Sequence, residues 1–309
     1  MRIVTVTLNP CIDKSTTVPA LLPEKKLRCT KPVLEPGGGG INVARAIQKL
    51  GGNATAVYLS GGYNGNLITR LLEGEHVAGL PVFIKNDTRE NSIILDTTAN
   101  VQYRFCMPGP YVEEEEWTRC LQILDAMTGV DYLVASGSLP PGVPADFFAR
   151  LARQVKAKGV KLVVDTGGAG LKEALTEGIY MIKPNISELC EYAEVSSLSL
   201  ENAGVVSREI IAGGRCEIIL LSMGEAGALL VTKDLTMHIV PPQVSRKSTV
   251  GAGDSMTAGV ILSLATGYDI ISAAQYGVAS GTAATMRPGT QLCDKTDADA
   301  IYARIKDKA

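Results

Sequence analysis

Short apolar runs and longer apolar stripes alternate along most of the chain. Ile3, Val4 and Val6 mark a strand over 2–8, and further strands are predicted at 26–34, 91–97 and 101–106. From residue 40 the period lengthens: Ile41, Ala44, Ile47 and Leu50 form a helical stripe that stops at Gly51 and Gly52. A strand at 54–59, a helix at 64–73 and a strand at 80–84 follow. Beyond residue 110 the alternation is regular. Helices at 113–127, 144–157, 168–176, 186–193 and 200–212 are interleaved with strands at 132–135, 160–165, 180–182 and 218–222. Strands at 228–232 and 236–240 are spaced as a hairpin, and helices at 252–266, 269–286 and 296–307 close the pattern. Such alternation predicts an α/β fold with a central, mainly parallel sheet covered by helices on both faces. Two β-rich stretches, about 12–35 and 86–107, interrupt it. They read as one small sheet beside the main body, a lid over a cleft, within a single domain spanning 1–309.

Composition narrows the function. The chain has 309 residues, with 30 basic against 32 acidic side chains, a net charge of −2. That balance argues against a generic nucleic-acid binder. No apolar run approaches the ~18 residues that span a bilayer, and the N-terminus is too polar for a secretory leader. A soluble, cytoplasmic chain is expected. Seven cysteines without a Cys-x-x-Cys spacing, and only His76 and His238, speak against a disulfide framework, a structural zinc site or a two-histidine metal helix.

Candidate chemistry sits in glycine-rich segments. Gly37–Gly40 precede a helix that carries Asn42; the run is either a flexible loop or a place where backbone approaches a ligand closely. Ser248-Thr249-Val250-Gly251-Ala252-Gly253-Asp254-Ser255 opens an apolar helix. Its first N–H groups lack helical partners and form an anion hole, with the Asp254 carboxylate in the same turn. The segment is neither a Walker A loop, since the chain has no Gly-Lys, nor Gly-x-Gly-x-x-Gly, since residue 256 is Met. Lys183-Pro184-Asn185-Ile186-Ser187-Glu188 reads equally as a capping box or as a carboxylate placed near phosphate-bound metal. Ser222 to Ala228 is a turn that either passes under a nucleotide or only links strands.

In combination these segments resemble the ribokinase-like (pfkB) carbohydrate kinase family. The signatures are Gly39-Gly40-Ile41-Asn42-Val43-Ala44-Arg45-Ala46 near the start, Thr249-Val250-Gly251-Ala252-Gly253-Asp254 near the end, and Lys183-Pro184-Asn185 with Glu188 between them. Within the family, Tyr103-Arg104-Phe105, Met107-Pro108-Gly109 and Ser136–Gly142 are similar to the branch that phosphorylates fructose-6-phosphate. The resemblance implies a three-layer ribokinase-like fold with a small β-sheet lid. It implies ATP-dependent conversion of fructose-6-phosphate to fructose-1,6-bisphosphate, with tagatose-6-phosphate kinase and 1-phosphofructokinase as alternatives. A sugar-phosphate sensor is the non-enzymatic alternative.

Site residues follow from the same resemblance. Asp254 matches the general base, and Gly251, Ala252 and Gly253 match the anion hole. Asp13, Gly38, Gly39 and Asn42 match sugar contacts; Arg89, Arg104 and Ser138 match contacts to the phosphate already on the sugar. Lys26 matches a position linked to inhibitory ATP. Lys183, Asn185, Ser222, Gly224 and Gly227 fall on the ATP side, and Glu188 in the Mg²⁺ region. Ser248, Val250, Ala284, Arg287 and Gly289 fall on a K⁺-binding loop and its neighbour. Ser248 stands where many relatives carry Asp, and Arg287 and Gln291 also depart from the branch's pattern, which leaves K⁺ dependence open. A homodimer joined through the lid is expected.

Overall fold

The computed structural model describes residues 1–307. The strands are β1 (Ile3–Thr7), β2 (Cys11–Val18), β3 (Val33–Gly37), β4 (Ala54–Ser60), β5 (Ala78–Phe83), β6 (Arg89–Asp96), β7 (Val101–Phe105), β8 (Tyr132–Ser136), β9 (Lys161–Asp165), β10 (Ile179–Ile182), β11 (Cys216–Ser222), β12 (Ala228–Val231) and β13 (Thr236–Ile239). The helices are α1 (Gly39–Lys49), α2 (Gly62–Gly74), α3 (Glu114–Ala126), α4 (Phe147–Lys156), α5 (Gly168–Ala174), α6 (Ile186–Ala193), α7 (Leu200–Ala212), α8 (Ala252–Ala265), α9 (Ile270–Thr285) and α10 (Lys295–Lys306).

A nine-stranded sheet runs in the order β13-β12-β11-β10-β9-β8-β1-β4-β5. Its strands from β5 to β11 are parallel, and β12 and β13 extend it as an antiparallel hairpin. Both faces are covered, so the central strands read as nearly unbroken apolar runs. On one face β1, β8 and β9 pack with Trp117, Phe147, Leu171 and Ile210 of α3, α4, α5 and α7. On the other, Ile3, Val134 and Val163 meet Val43, Met256, Ala279 and Ile301 of α1, α8, α9 and α10. The helix α3 starts with a capping box in which Glu113 and Glu116 satisfy each other's backbone N–H, so its run of glutamates serves the helix start through hydrogen bonds as well as charge. Among the described residues no helix is long and apolar enough to cross a membrane, and the seven cysteines are all free.

A second sheet, β3-β2-β6-β7, stands apart from the first. Its β2 and β6 are parallel, and its outer pairs are antiparallel. The strand expected over 26–34 is not formed. Residues 25–32 have no regular structure, and the strand is Val33–Gly37. Lys25, Lys26, Arg28 and Lys31 give this stretch no apolar face to bury, and Pro32 has no N–H for a ladder. Among the described residues only Thr30 hydrogen-bonds it to β2, through its N–H to Thr17 O at 3.1 Å and its hydroxyl to Thr16 and Thr17. The strand β2, as long as β6, is not singled out by its pattern, because Asp13, Lys14, Ser15, Thr16 and Thr17 interrupt the apolar positions.

Candidate active site

The carboxyl ends of the parallel strands lie along one edge of the large sheet, where α/β folds place their ligands. Asn9 follows β1, Gly137 and Ser138 follow β8, Asp165 ends β9, Lys183 and Asn185 follow β10, and Ser222 ends β11. Two helix starts meet over this edge. The first, α1, begins against β8: a Cβ on Gly39 would collide with Ser136 Oγ and sit 2.8 Å from Gly137 N, so glycine is what lets the helix come that close. The second, α8, has Gly251 as its N-cap with φ +72°, a left-handed turn that suits glycine. The contact between them is Asn42 Nδ2 donating to Asp254 Oδ2 at 2.9 Å.

Asp254 sits in the first turn of α8. Ser255 N–H is accepted by Gly251 O at 2.8 Å, and Ala252 N–H leans toward Thr249 O at 3.4 Å. The Gly253 and Asp254 amides therefore make up most of the cradle at the helix's positive end. Burial pushes the Asp254 carboxyl up to about 6, and the Asp165 charge adds to the rise; the Asn42 hydrogen bond and Lys183 pull it down. The Lys183 side chain turns into the protein. It is buried, pairs with Asp165 at 3.3 Å, and lies 3.1 Å from where a Gly253 Cβ would be. Burial works against its charge, but Asp165 and Asp254 outweigh that and hold the ammonium protonated, above its ordinary range.

The small sheet contributes a second cluster. Asp13 is buried, accepts from Asn91 Nδ2 at 3.0 Å and lies beside the Cys11 thiol. Arg89 donates to Asn9 O at 3.1 Å and Met107 O at 3.0 Å, and Asn9 Nδ2 reaches Ser138 Oγ at 3.0 Å. Arg89 Nε and Asn9 Oδ1 are buried without a partner among the described residues. Arg104, exposed on β7, donates to Thr249 Oγ1 at 3.0 Å, so the small sheet reaches over to the loop that precedes the cradle. Gly38 and Gly39 complete this side. Lys26 is not brought to the cluster; it is exposed in the irregular segment between β2 and β3.

A cavity of about 830 Å³ is lined by Ser138, Asp165, Gly167, Gly168 and Glu188, among others. The capping box at α6 is formed, with Glu188 N–H to Asn185 Oδ1 and Asn185 N–H to Glu188 Oε2, each 2.9 Å. Capping occupies one carboxylate oxygen; the other lies near Gly167 at the cavity wall. Ser222 bonds Pro184 O at 3.2 Å beside Asn185, and Gly224 and Gly227 shape the exposed 3₁₀ turn between β11 and β12. Among the described residues no group of three or more His, Cys, Asp and Glu side chains is arranged to hold a metal. Mg²⁺ bound to phosphates asks for only one or two carboxylates, which Glu188 fits.

The remaining loop residues do come together. Ser248 Oγ donates to Gly289 O at 2.9 Å and accepts from Val250 N–H at 3.2 Å, while Ser248 N–H reaches Thr285 O next to Ala284. The Arg287 side chain turns away to Asp294 and Asp297 at α10, so only its backbone belongs to this loop. Asp165, Asn9 and Asn91 were missed in the sequence. Asp165 and Asn9 carry one usable signal, a lone polar residue at or just past the end of an apolar parallel strand.

A pfkB family carbohydrate kinase profile matches residues 6–297. The chain is 41% identical over 307 residues to the ATP-dependent 6-phosphofructokinase isozyme 2 of Escherichia coli (strain K12), covering 99% of each. Its structure matches that of Escherichia coli phosphofructokinase-2 in complex with potassium with a TM-score of 0.95 at 41% identity, covering 99% of both chains. It matches the tetrameric inhibited form of the same enzyme at 0.94 and 40% identity, again covering 99% of both.

The electrostatics of Asp254 make a stability prediction. Its folded carboxyl lies above the ordinary value of 3.8, so the folded state binds the proton more tightly than the unfolded one. The stability this gives is present below the unfolded value and is lost as the pH rises through about 6. Asp254→Asn is therefore expected to be more stable than the parent near pH 7.5 by ~1–3 kcal/mol, the gap closing toward pH 4. Urea unfolding at the two pH values reads it; a variant less stable at the higher pH contradicts it.

Proposed function

Because the chain belongs to the pfkB family of carbohydrate kinases, we propose that it transfers the γ-phosphoryl group of ATP to a ketose phosphate, fructose-6-phosphate giving fructose-1,6-bisphosphate. The observation that carries this reading is Asp254 in the first turn of α8, beside backbone amides at the positive end of the helix and held by Asn42. Phosphoryl transfer needs alignment and charge neutralisation more than covalent chemistry from the protein. Asp254 takes the proton from the acceptor hydroxyl. The 251–254 amides meet the charge that develops on the transferring group. Lys183, between Asp165 and the cradle, adds a fixed positive charge. Mg²⁺, when bound with ATP near Glu188, neutralises phosphate charge. Ser248 Oγ and the Gly289 carbonyl supply oxygens that suit K⁺, with the neighbouring Val250, Ala284 and Arg287 backbone in reach of the same loop.

Asp13, Gly38, Gly39 and Asn42 hold the sugar, and Arg89, Arg104 and Ser138 hold its phosphate. Two arginines on one small sheet suit a substrate that already carries a phosphate. That sheet is the lid: closing over both substrates excludes water and limits loss of ATP to hydrolysis. Its Val33, Leu34, Val101, Tyr103 and Phe105 are exposed, and such a face suits pairing with a second copy. A homodimer is the assembly this reading expects, and light scattering at micromolar protein would contradict it by finding a monomer.

An ADP-release assay with Mg²⁺-ATP tests the function, comparing fructose-6-phosphate, tagatose-6-phosphate and fructose-1-phosphate. The highest kcat/KM is expected with fructose-6-phosphate, and no turnover with any of the three overturns the kinase reading in favour of a sensor. Asp254→Asn is expected to lower kcat by ~10²–10⁴ with little change in KM. Near-parental turnover would remove Asp254 from the role of base. Arg104→Ala is expected to raise KM for the sugar phosphate by roughly 10–150-fold and KM for ATP far less. Equal effects on the two would count against a phosphate contact.

A further inference from the structure

Arg45 is a charged side chain almost wholly inside the protein, 1% exposed, on α1 one turn beyond Asn42. Its guanidinium is gripped by Glu75 just beyond α2, Nε to Oε2 at 2.8 Å and Nη2 to Oε1 at 2.7 Å. Nη2 also faces Glu35 Oε1 of β3 at 3.4 Å. Nη1 donates to Pro36 O at 2.9 Å and to Asn42 Oδ1 at 3.4 Å, and faces Thr290 O at 3.5 Å. Thr290 Oγ1 in turn donates to Glu35 Oε2 at 2.5 Å. One guanidinium thus joins α1, the end of α2, the root of the small sheet and the loop after α9. Burial of a charge on this scale is sustained only by pairing of this completeness.

A guanidinium can only donate hydrogen bonds, whereas a side-chain amide has one accepting and one donating end. Asn42 must therefore present its oxygen to Arg45, which leaves its NH₂ for Asp254. With the amide turned over, two oxygens would face each other at the carboxylate and two sets of N–H at the guanidinium. We propose that Arg45 is a positioning residue for phosphoryl transfer: fixed by Glu75 and Glu35, it orients the Asn42 amide so that Asn42 holds the Asp254 carboxylate in place. The inference rests on Asp254 being the base. The groups whose charge or hydrogen bond bears on that carboxylate are Asn42 from α1, Asp165 at the end of β9, Lys183 after β10 and Asp13 of β2. Asn42 and Lys183 favour its ionised form, and Asp165 and Asp13 disfavour it. Loosening Asn42 therefore makes the base harder to deprotonate.

The test is the pH profile of kcat for Arg45→Lys, which keeps the charge and loses the fork. The acid limb is expected to move up by at least about half a pH unit, about a threefold loss of kcat below the limb, with the plateau at higher pH within about threefold of the parent. In an Asn42→Ala background the same substitution is expected to move the limb no further, since Arg45 acts through Asn42. A uniform fall of kcat at every pH, or a shift that persists without Asn42, overturns the inference. If Arg45→Lys does not fold by circular dichroism, Glu75→Gln takes its place. It loosens the guanidinium from the more accessible side and must move the limb the same way; an unmoved limb overturns the inference. The residual activity of Asp254→Asn separates the two readings. A limb that survives in that variant removes Asp254 as the base, whereas a limb lost there but unmoved by Arg45→Lys defeats only the role of Arg45.

Discussion

The cleft is organised around a carboxylate that the protein keeps in an unfavourable place. Asp254 stands where burial and the nearby Asp165 both raise the cost of its charge, and that cost draws in the groups around it. The positive end of α8 offsets part of it, the amide of Asn42 offsets more, and Lys183 is held between the two aspartates. A carboxyl poised near the pH of the cell is better suited to taking up a proton than one at its ordinary value.

The same constraint explains how distant pieces of chain are joined. Asn42 and Asp254 belong to helices at opposite ends of the sequence, yet each starts at a glycine that lets backbone pack where a side chain would not fit. The small sheet is tied into this junction at two levels. Arg104 reaches Thr249 above the cradle, and the Arg45–Glu35–Thr290 group anchors the root of the sheet below it. The small sheet and the cradle are therefore joined through hydrogen bonds from charged side chains.

Residues that recur as a local pattern could be read directly. Gly251 to Asp254 announce a helix start with a spare carboxylate, and Asn185 with Glu188 announce a capping box that the structure forms. Asp165, Asn9, Asn91 and Arg45 could not be read in this way. Each is one polar residue beside apolar neighbours, and its partners lie elsewhere in the chain: Lys183 for Asp165, Ser138 for Asn9, Asp13 for Asn91. Lys26, matched by resemblance alone, lies exposed in the irregular stretch between β2 and β3.

By itself, the sequence determined the layered α/β architecture, because a strand buried on both faces and an amphipathic helix each leave a period in the hydrophobic pattern that survives without knowledge of their partners. It also determined where backbone would be free to bind an anion, since glycine before a helix start is a local property. What only the tertiary structure decided is which polar groups share the buried space. Lys183 turns inward to Asp165, Arg287 turns outward to α10, and Arg45 gathers Glu75, Glu35 and Asn42. Those choices depend on distances between strand ends and helix starts that come together only when the two sheets and their helices are packed, and electrostatics inside a protein acts over just such distances.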